Sequence, residues 1–203
     1  MIDPTAALAR LMDGNQRFLS GEMTAGQMTK SARAALVRGQ EPYAIVFGCV
    51  DSRVTPNEVF DAGPGDLLVI RTAGQVVDDA VMGSIEFGVL ELSIPLILVL
   101  GHTHCGAVTA ASHATGEEPL PGKLDVLVRA IQPAVQAARI LSNNRDGTDL
   151  IDLAVTVNVR FAIDRLMSSP VIQEAVKAGN LRIVGAVYDL ASGTVSEVDS
   201  DEG

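Results

Sequence analysis

The chain alternates short unbroken apolar runs with longer stretches in which apolar residues return every third or fourth position. Residues 43–48 form one such run and residues 95–101 another, while residues 67–71, which end on Arg71, are expected as a further strand. Runs that are apolar throughout, instead of alternating with polar residues, suit strands of a parallel sheet buried on both faces. A fourth strand is expected over residues 181–187, and Ala191-Ser192-Gly193 turns the chain into a last, antiparallel strand over 194–198. Gly63-Pro64-Gly65-Asp66 reads as the turn that precedes the second strand.

Helices separate the strands. Asp3-Pro4 supplies an acidic N-cap and a proline at the first helical position, and the stripe Leu8, Leu11, Met12 is expected to end near Gly14-Asn15. Residues 20–29 are polar and glycine-bearing, so this first helix reads as an arm loosely joined to the body, with a second helix over 31–37. A short helical or turn segment follows over 55–60. Asp78 or Asp79 caps a helix to about residue 92, in which Gly83 and Gly88 would permit a close approach to the sheet. Further helices are expected over 105–112, 124–141 and 149–167, the second of them kinked or split at Pro133. Residues 116–122 read as a loop, and Ser169-Pro170 starts a last short helix that stops at Gly179-Asn180.

This order predicts an α/β fold: a mostly parallel sheet covered by helices on both faces. With no internal repeat or low-complexity tract, residues 1–203 read as a single domain, of which 1–40 form the N-terminal helical arm. Ligands in such sheets sit beyond the C-terminal ends of strands, where the strand order reverses. Cys49 and His102 stand at two such ends.

Composition narrows the function. A chain of 203 residues, 47% of them hydrophobic, can bury a large core unaided. No run approaches the ~20 uncharged apolar residues needed to cross a bilayer, so no membrane association is expected. Asp3 stands where a signal peptide would be basic and then apolar, which makes the cytoplasm the expected location. The net charge of −10 argues against nucleic acid, whose phosphates demand clustered lysine and arginine. Cys49 and Cys105 are the two cysteines of the chain, and in a reducing compartment they favour metal binding or catalysis over a disulfide. A buried inert pair is the alternative.

In His102-Thr103-His104-Cys105 the histidine and cysteine lie about one helical turn apart and can face one ion, with Cys49 approaching from a neighbouring strand end. Two thiolates and an imidazole suit zinc, and three protein ligands leave one exchangeable position for chemistry. Asp51 and Arg53 lie just beyond Cys49. The carboxylate can accept a hydrogen bond from metal-bound water or take the open position as a fourth ligand. A guanidinium holding both its oxygens decides between the two. His104 is either a proton shuttle or an exposed histidine. Gly106 either presents its backbone N–H to a bound anion or lets the turn close.

Cys49-Val-Asp51-Ser-Arg53 followed by Gly101-His102-Thr-His-Cys105-Gly106 resembles the β class of carbonic anhydrases. Val69-Ile-Arg71-Thr-Ala-Gly74, Gly83-Ser-Ile-Glu-Phe87 and Ser169-Pro170-Val-Ile172 extend the resemblance across residues 43–188. It implies one zinc per chain on Cys49, His102 and Cys105, with Asp51 and Arg53 as the catalytic dyad. The implied reaction is the reversible hydration of carbon dioxide to bicarbonate and a proton, by a zinc-bound hydroxide that the dyad orients. It also implies sheet order 2-1-3-4 with an added antiparallel strand, and a homodimer or dimer of dimers with the arm packed on the partner. Thr72 stands where many members carry asparagine. A relative acting on carbonyl sulfide or carbon disulfide, and a zinc protein without turnover, are the competing readings.

Overall fold

The computed structural model describes residues 2–114, 120–142 and 148–198, so most of the loop expected over 116–122 lies outside the described residues. The strands are β1 (Ala44–Cys49), β2 (Leu67–Thr72), β3 (Leu96–His102), β4 (Arg182–Tyr188) and β5 (Val195–Glu197). The helices are α1 (Pro4–Ser20), α2 (Lys30–Leu36), α3 (Pro56–Val59), α4 (Asp79–Leu90), α5 (Gly106–His113), α6 (Leu124–Leu141), α7 (Thr148–Leu166) and α8 (Pro170–Lys177). One sheet takes all five strands in the order β2-β1-β3-β4-β5, with only β5 antiparallel to its neighbour.

The apolar runs become strands because the pleat divides each run between two cores. In β1, Ala44 and Val46 face one core while Ile45 and Phe47 face the other. In β3, Leu96, Leu98 and Leu100 oppose Ile97 and Val99 in the same way. The first core is closed by Ala7, Leu8 and Leu11 of α1 together with Val59 and Phe60, and the second by α4, α7 and α8. Each large side chain so buried contributes about 1.5–3 kcal/mol. Helices α5 and α6 pack against α7 around a third cluster that takes in both cysteines.

Four expectations change. Helix α1 does not end at Gly14-Asn15 but runs to Ser20, where Gly21 closes it in the left-handed conformation. Gly14 is there for proximity: a Cβ would lie 1.9 Å from the Phe60 carbonyl oxygen. Asn15 donates to the carbonyls of Val59 and Gly193 and accepts from the Val195 N–H, so α1 is tied to this chain's own body rather than loosely joined to it. Pro133 does not split α6, because both Pro133 and Arg129, whose carbonyl loses its N–H donor, are exposed to water. In α4, Gly88 does face the sheet against Ile45 and Leu68, but Gly83 faces open space.

Thr24 and Ala25 are held by Asp61, whose side chain is fully buried. Its oxygens accept from Arg17 Nε at 2.6 Å, from Thr24 N–H and hydroxyl, and from Ala25 N–H at 2.7 Å. Burial alone would raise this carboxyl, but these donors outweigh it and hold it well below the usual carboxylate range.

Gly14→Ala is expected to destabilise by about 1–3 kcal/mol through backbone overlap, whereas Gly83→Ala stabilises by about 0.5–1 kcal/mol as an ordinary helix substitution. Opposite signs in urea unfolding test the pair. For Asp61 the folded pKa lies below the unfolded ~3.9, so its contribution is complete above that pH and fades as acid protonates it. The stability gap between the parent protein and Asp61→Asn is therefore wide at pH 7 and shrinks toward pH 3; a gap constant over that range contradicts the assignment.

Candidate metal centre

Parallel pairing sets Ile45 opposite Ile97 and Gly48 opposite Leu100, so β1 and β3 end side by side at the point where the strand order reverses. Cys49 is the last residue of β1 and His102 the last of β3, while Cys105 is the N-cap of α5 three residues on. All three are buried, and their donor atoms lie within 4.8 Å of one another, so they could hold a metal ion. The sulfurs are 4.0 Å apart and unbridged. A disulfide would need ~2.05 Å. Two thiolates on one tetrahedral zinc, each at ~2.3 Å, stand about 3.8 Å apart.

The imidazole is set for the same task. His102 Nδ1 lies 2.9 Å from the Thr103 carbonyl oxygen, which can only accept, so Nδ1 carries the hydrogen and Nε2 is the bare nitrogen. That Nε2 is buried with no hydrogen-bond partner. A buried acceptor without a partner is costly unless something else binds it, and a cation does. The neighbouring thiols behave as a coupled pair. The Cys105 thiol, helped by the neighbouring His102 imidazole and the Gly74 N–H, outweighs burial and pulls the Cys49 proton affinity down, and the Cys49 thiolate together with burial pushes Cys105 up. Two sulfurs this close in an apolar cluster with Val108 and Ile131 could both ionise only with a cation between them.

Asp51 and Arg53 form a bidentate pair beside this group. Arg53 Nε and Nη2 donate to the two carboxylate oxygens at 2.9 and 2.7 Å, and its backbone N–H donates to Oδ1 at 3.0 Å. The guanidinium holds Asp51 well below the usual carboxylate range despite partial burial. Asp51 Oδ2 stands 3.9 Å from His102 Nε2. His104 adopts the left-handed conformation at φ 55° and its carbonyl accepts from Arg53 at 3.2 Å. The residue lines a separate cavity of about 320 Å³ with His113 and Arg139. Gly106 is the exposed first residue of α5, where backbone N–H groups lack an intrahelical acceptor.

Three contributors escape a reading of the sequence. Arg71, near the end of β2, donates to the carbonyls of Cys49 at 2.7 Å and Asp51 at 2.6 Å and so shapes the loop that carries both. The Gly74 N–H donates to Cys49 Sγ at 3.4 Å, from a turn that Thr72 closes by donating its hydroxyl to the Val76 carbonyl. Asn158 of α7 donates to the Gly74 carbonyl at 2.7 Å. Its one sequence signal is an amide among the apolar positions of a buried helix.

Known proteins are similar to this chain in sequence and fold. The family profile described as carbonic anhydrase matches residues 44–195. The chain is 43% identical over 192 residues to carbonic anhydrase 2 of Mycobacterium tuberculosis, covering 94% of this chain and 91% of that one. It is 42% identical over 195 residues to the carbonic anhydrase of Mycolicibacterium smegmatis, with 95% and 92% covered. Among solved structures, the β-carbonic anhydrase CcaA superposes with a TM-score of 0.77 at 28% identity, over 95% of each chain. A structure from the work on two tetrameric β-carbonic anhydrases of Sordaria macrospora gives 0.76 at 27% identity, over 83% of this chain and 86% of that one. With a family profile over most of the chain, relatives 43% and 42% identical over nearly their whole length, and a β-carbonic anhydrase structure superposing on 95% of it, the chain belongs to the carbonic anhydrase family, and within it to the β class.

Proposed function

We propose that this chain holds one zinc ion on Cys49, His102 and Cys105 and catalyses the reversible hydration of carbon dioxide to bicarbonate and a proton. The observation that carries the reading is the buried Nε2 of His102, bare of any hydrogen-bond partner and grouped within 4.8 Å with two sulfurs that stand at zinc-sharing distance. Zinc bound there would act as a Lewis acid that lowers the pKa of a water and so supplies a nucleophile near neutral pH.

Asp51 and Arg53 do the rest. An ionised carboxylate offers about four lone-pair sites, and Arg53 occupies one on each oxygen. A remaining site on Oδ2 is free to accept a hydrogen from the attacking water and so aim its lone pair at the carbon of carbon dioxide. Arg53 keeps that carboxylate charged and bonds both of its oxygens, with Oδ2 3.9 Å from His102 Nε2, which favours Asp51 as an orienting group over Asp51 as a fourth ligand. Gly106 would offer its N–H to an oxygen of bicarbonate. The proton set free passes to buffer. Carbon dioxide is small and uncharged, in keeping with the apolar packing around the sulfurs.

The same reading takes the chain to be a homodimer or a dimer of dimers with residues 1–40 reaching onto a partner. Helix α2 supports it: none of its seven residues is buried within this chain, and Val37 just beyond it is 85% exposed. So short a helix is marginal without packing. The solved relatives from Sordaria macrospora are tetrameric. Among the described residues no helix is long and apolar enough to cross a membrane.

Metal analysis of purified Cys105→Ala is expected to show zinc falling from about one per chain to near zero, because two donors hold it far less well than three; parent-like zinc content removes Cys105 from the ligand set. Asp51→Asn keeps zinc and lowers kcat/KM for carbon dioxide hydration about 10²- to 10⁴-fold in stopped flow. An unchanged rate takes Asp51 out of the mechanism.

A further inference from the structure

We propose that Asn158 is a positioning residue for the metal centre: from α7 it orients the Gly74 peptide so that the Gly74 N–H stays on the Cys49 sulfur. The inference rests on the zinc reading above. It starts from an anomaly of composition, since α7 at this level presents Ala154, Val155, Val157, Val159 and Ala162 as buried apolar residues, with Asn158 buried among them. An amide placed there costs free energy unless it is bonded, and leucine of similar size would pack without that cost. Its Nδ2 donates at 2.7 Å to the carbonyl of Gly74.

That carbonyl is a sensitive place to hold. Gly74 sits at φ 63° and ψ 28°, and Gln75 follows at φ 52°, so two successive residues adopt the left-handed conformation. Such a turn persists only where its surroundings hold it. Ile131 and Ala107 crowd it from one side, where a Cβ on Gly74 would meet them at 2.5 and 3.2 Å. Asn158 holds it from α7. Because φ and ψ of Gly74 link its carbonyl to its N–H, fixing the one aims the other, and the N–H meets Cys49 Sγ at 3.4 Å. A hydrogen bond to a ligating sulfur lowers the energy of its lone pairs and tunes the metal it binds.

The test exchanges zinc for cobalt(II), whose sulfur-to-metal charge-transfer band reports on the ligating thiolates directly. In Asn158→Leu the band is expected to move to longer wavelength as the sulfur loses its hydrogen bond. Zinc affinity, measured by competition with a chelator, is expected to fall about 10- to 100-fold. Asn158→Ser, too short to reach Gly74, serves if the leucine variant does not fold. Asn15→Ser is the control, since it removes a buried amide on the opposite side of the sheet, where it binds Val59, Gly193 and Val195. It should lower the unfolding midpoint and leave the cobalt band in place. A folded Asn158 variant with parent-like band and affinity overturns the inference, as does an equal shift in the Asn15 control. A parent protein that shows no thiolate band at all overturns the zinc reading itself, and this inference with it.

Discussion

The parallel pairing of β1 with β3 is the constraint on which the rest of the molecule depends. It sets two strand ends side by side at the sheet's reversal point, and the two ends carry Cys49 and His102. Cys105 then needs only the turn into α5 to join them. The pairing is secured by apolar residues buried on both faces of both strands, so the site inherits the rigidity of the most buried part of the fold. Donors held this way do not wait for a metal to be ordered, and the entropy of gathering them is met by the core.

Electrostatics then divides the site into two neighbouring regions with opposite requirements. Around the sulfurs the surroundings are apolar, and two thiols 4.0 Å apart cannot both ionise without a cation. Around Asp51 the charge is already balanced, because a bidentate guanidinium matches the carboxylate. The first region could therefore hold a cation, and the second stays ionised beside it. Arg71 and the Gly74 turn join the two by holding the Cys49–Asp51 loop from its backbone and from its sulfur.

Glycine and asparagine show where local reading misleads. Gly14-Asn15 has the composition of a helix stop, yet the pair sits within α1, one residue small enough to touch Phe60 and the other bonded across to β5. Both meanings of the pair are chemically sound, and only the neighbours select one. Pro133 makes the same point from the other direction, since its cost depends on whether the carbonyl it leaves unbonded meets water.

The sequence by itself determined the element order, the burial of β1 and β3 on both faces, the Ser169 cap and the candidate donors Cys49, His102 and Cys105 with the Asp51–Arg53 pair. Those properties are carried by short-range signals: apolar runs, capping residues, and reactive side chains too few to be ambiguous. Only the tertiary structure decided that the sulfurs stand at zinc-sharing distance, that His102 Nε2 is the bare nitrogen, and that Arg71, Gly74 and Asn158 reach the site. The sulfur pair and the reach of Arg71, Gly74 and Asn158 depend on atoms tens of residues apart in the chain, and the bare Nε2 on how His102 turns toward its neighbour Thr103, so spacing carries no information until the sheet and α7 bring them together.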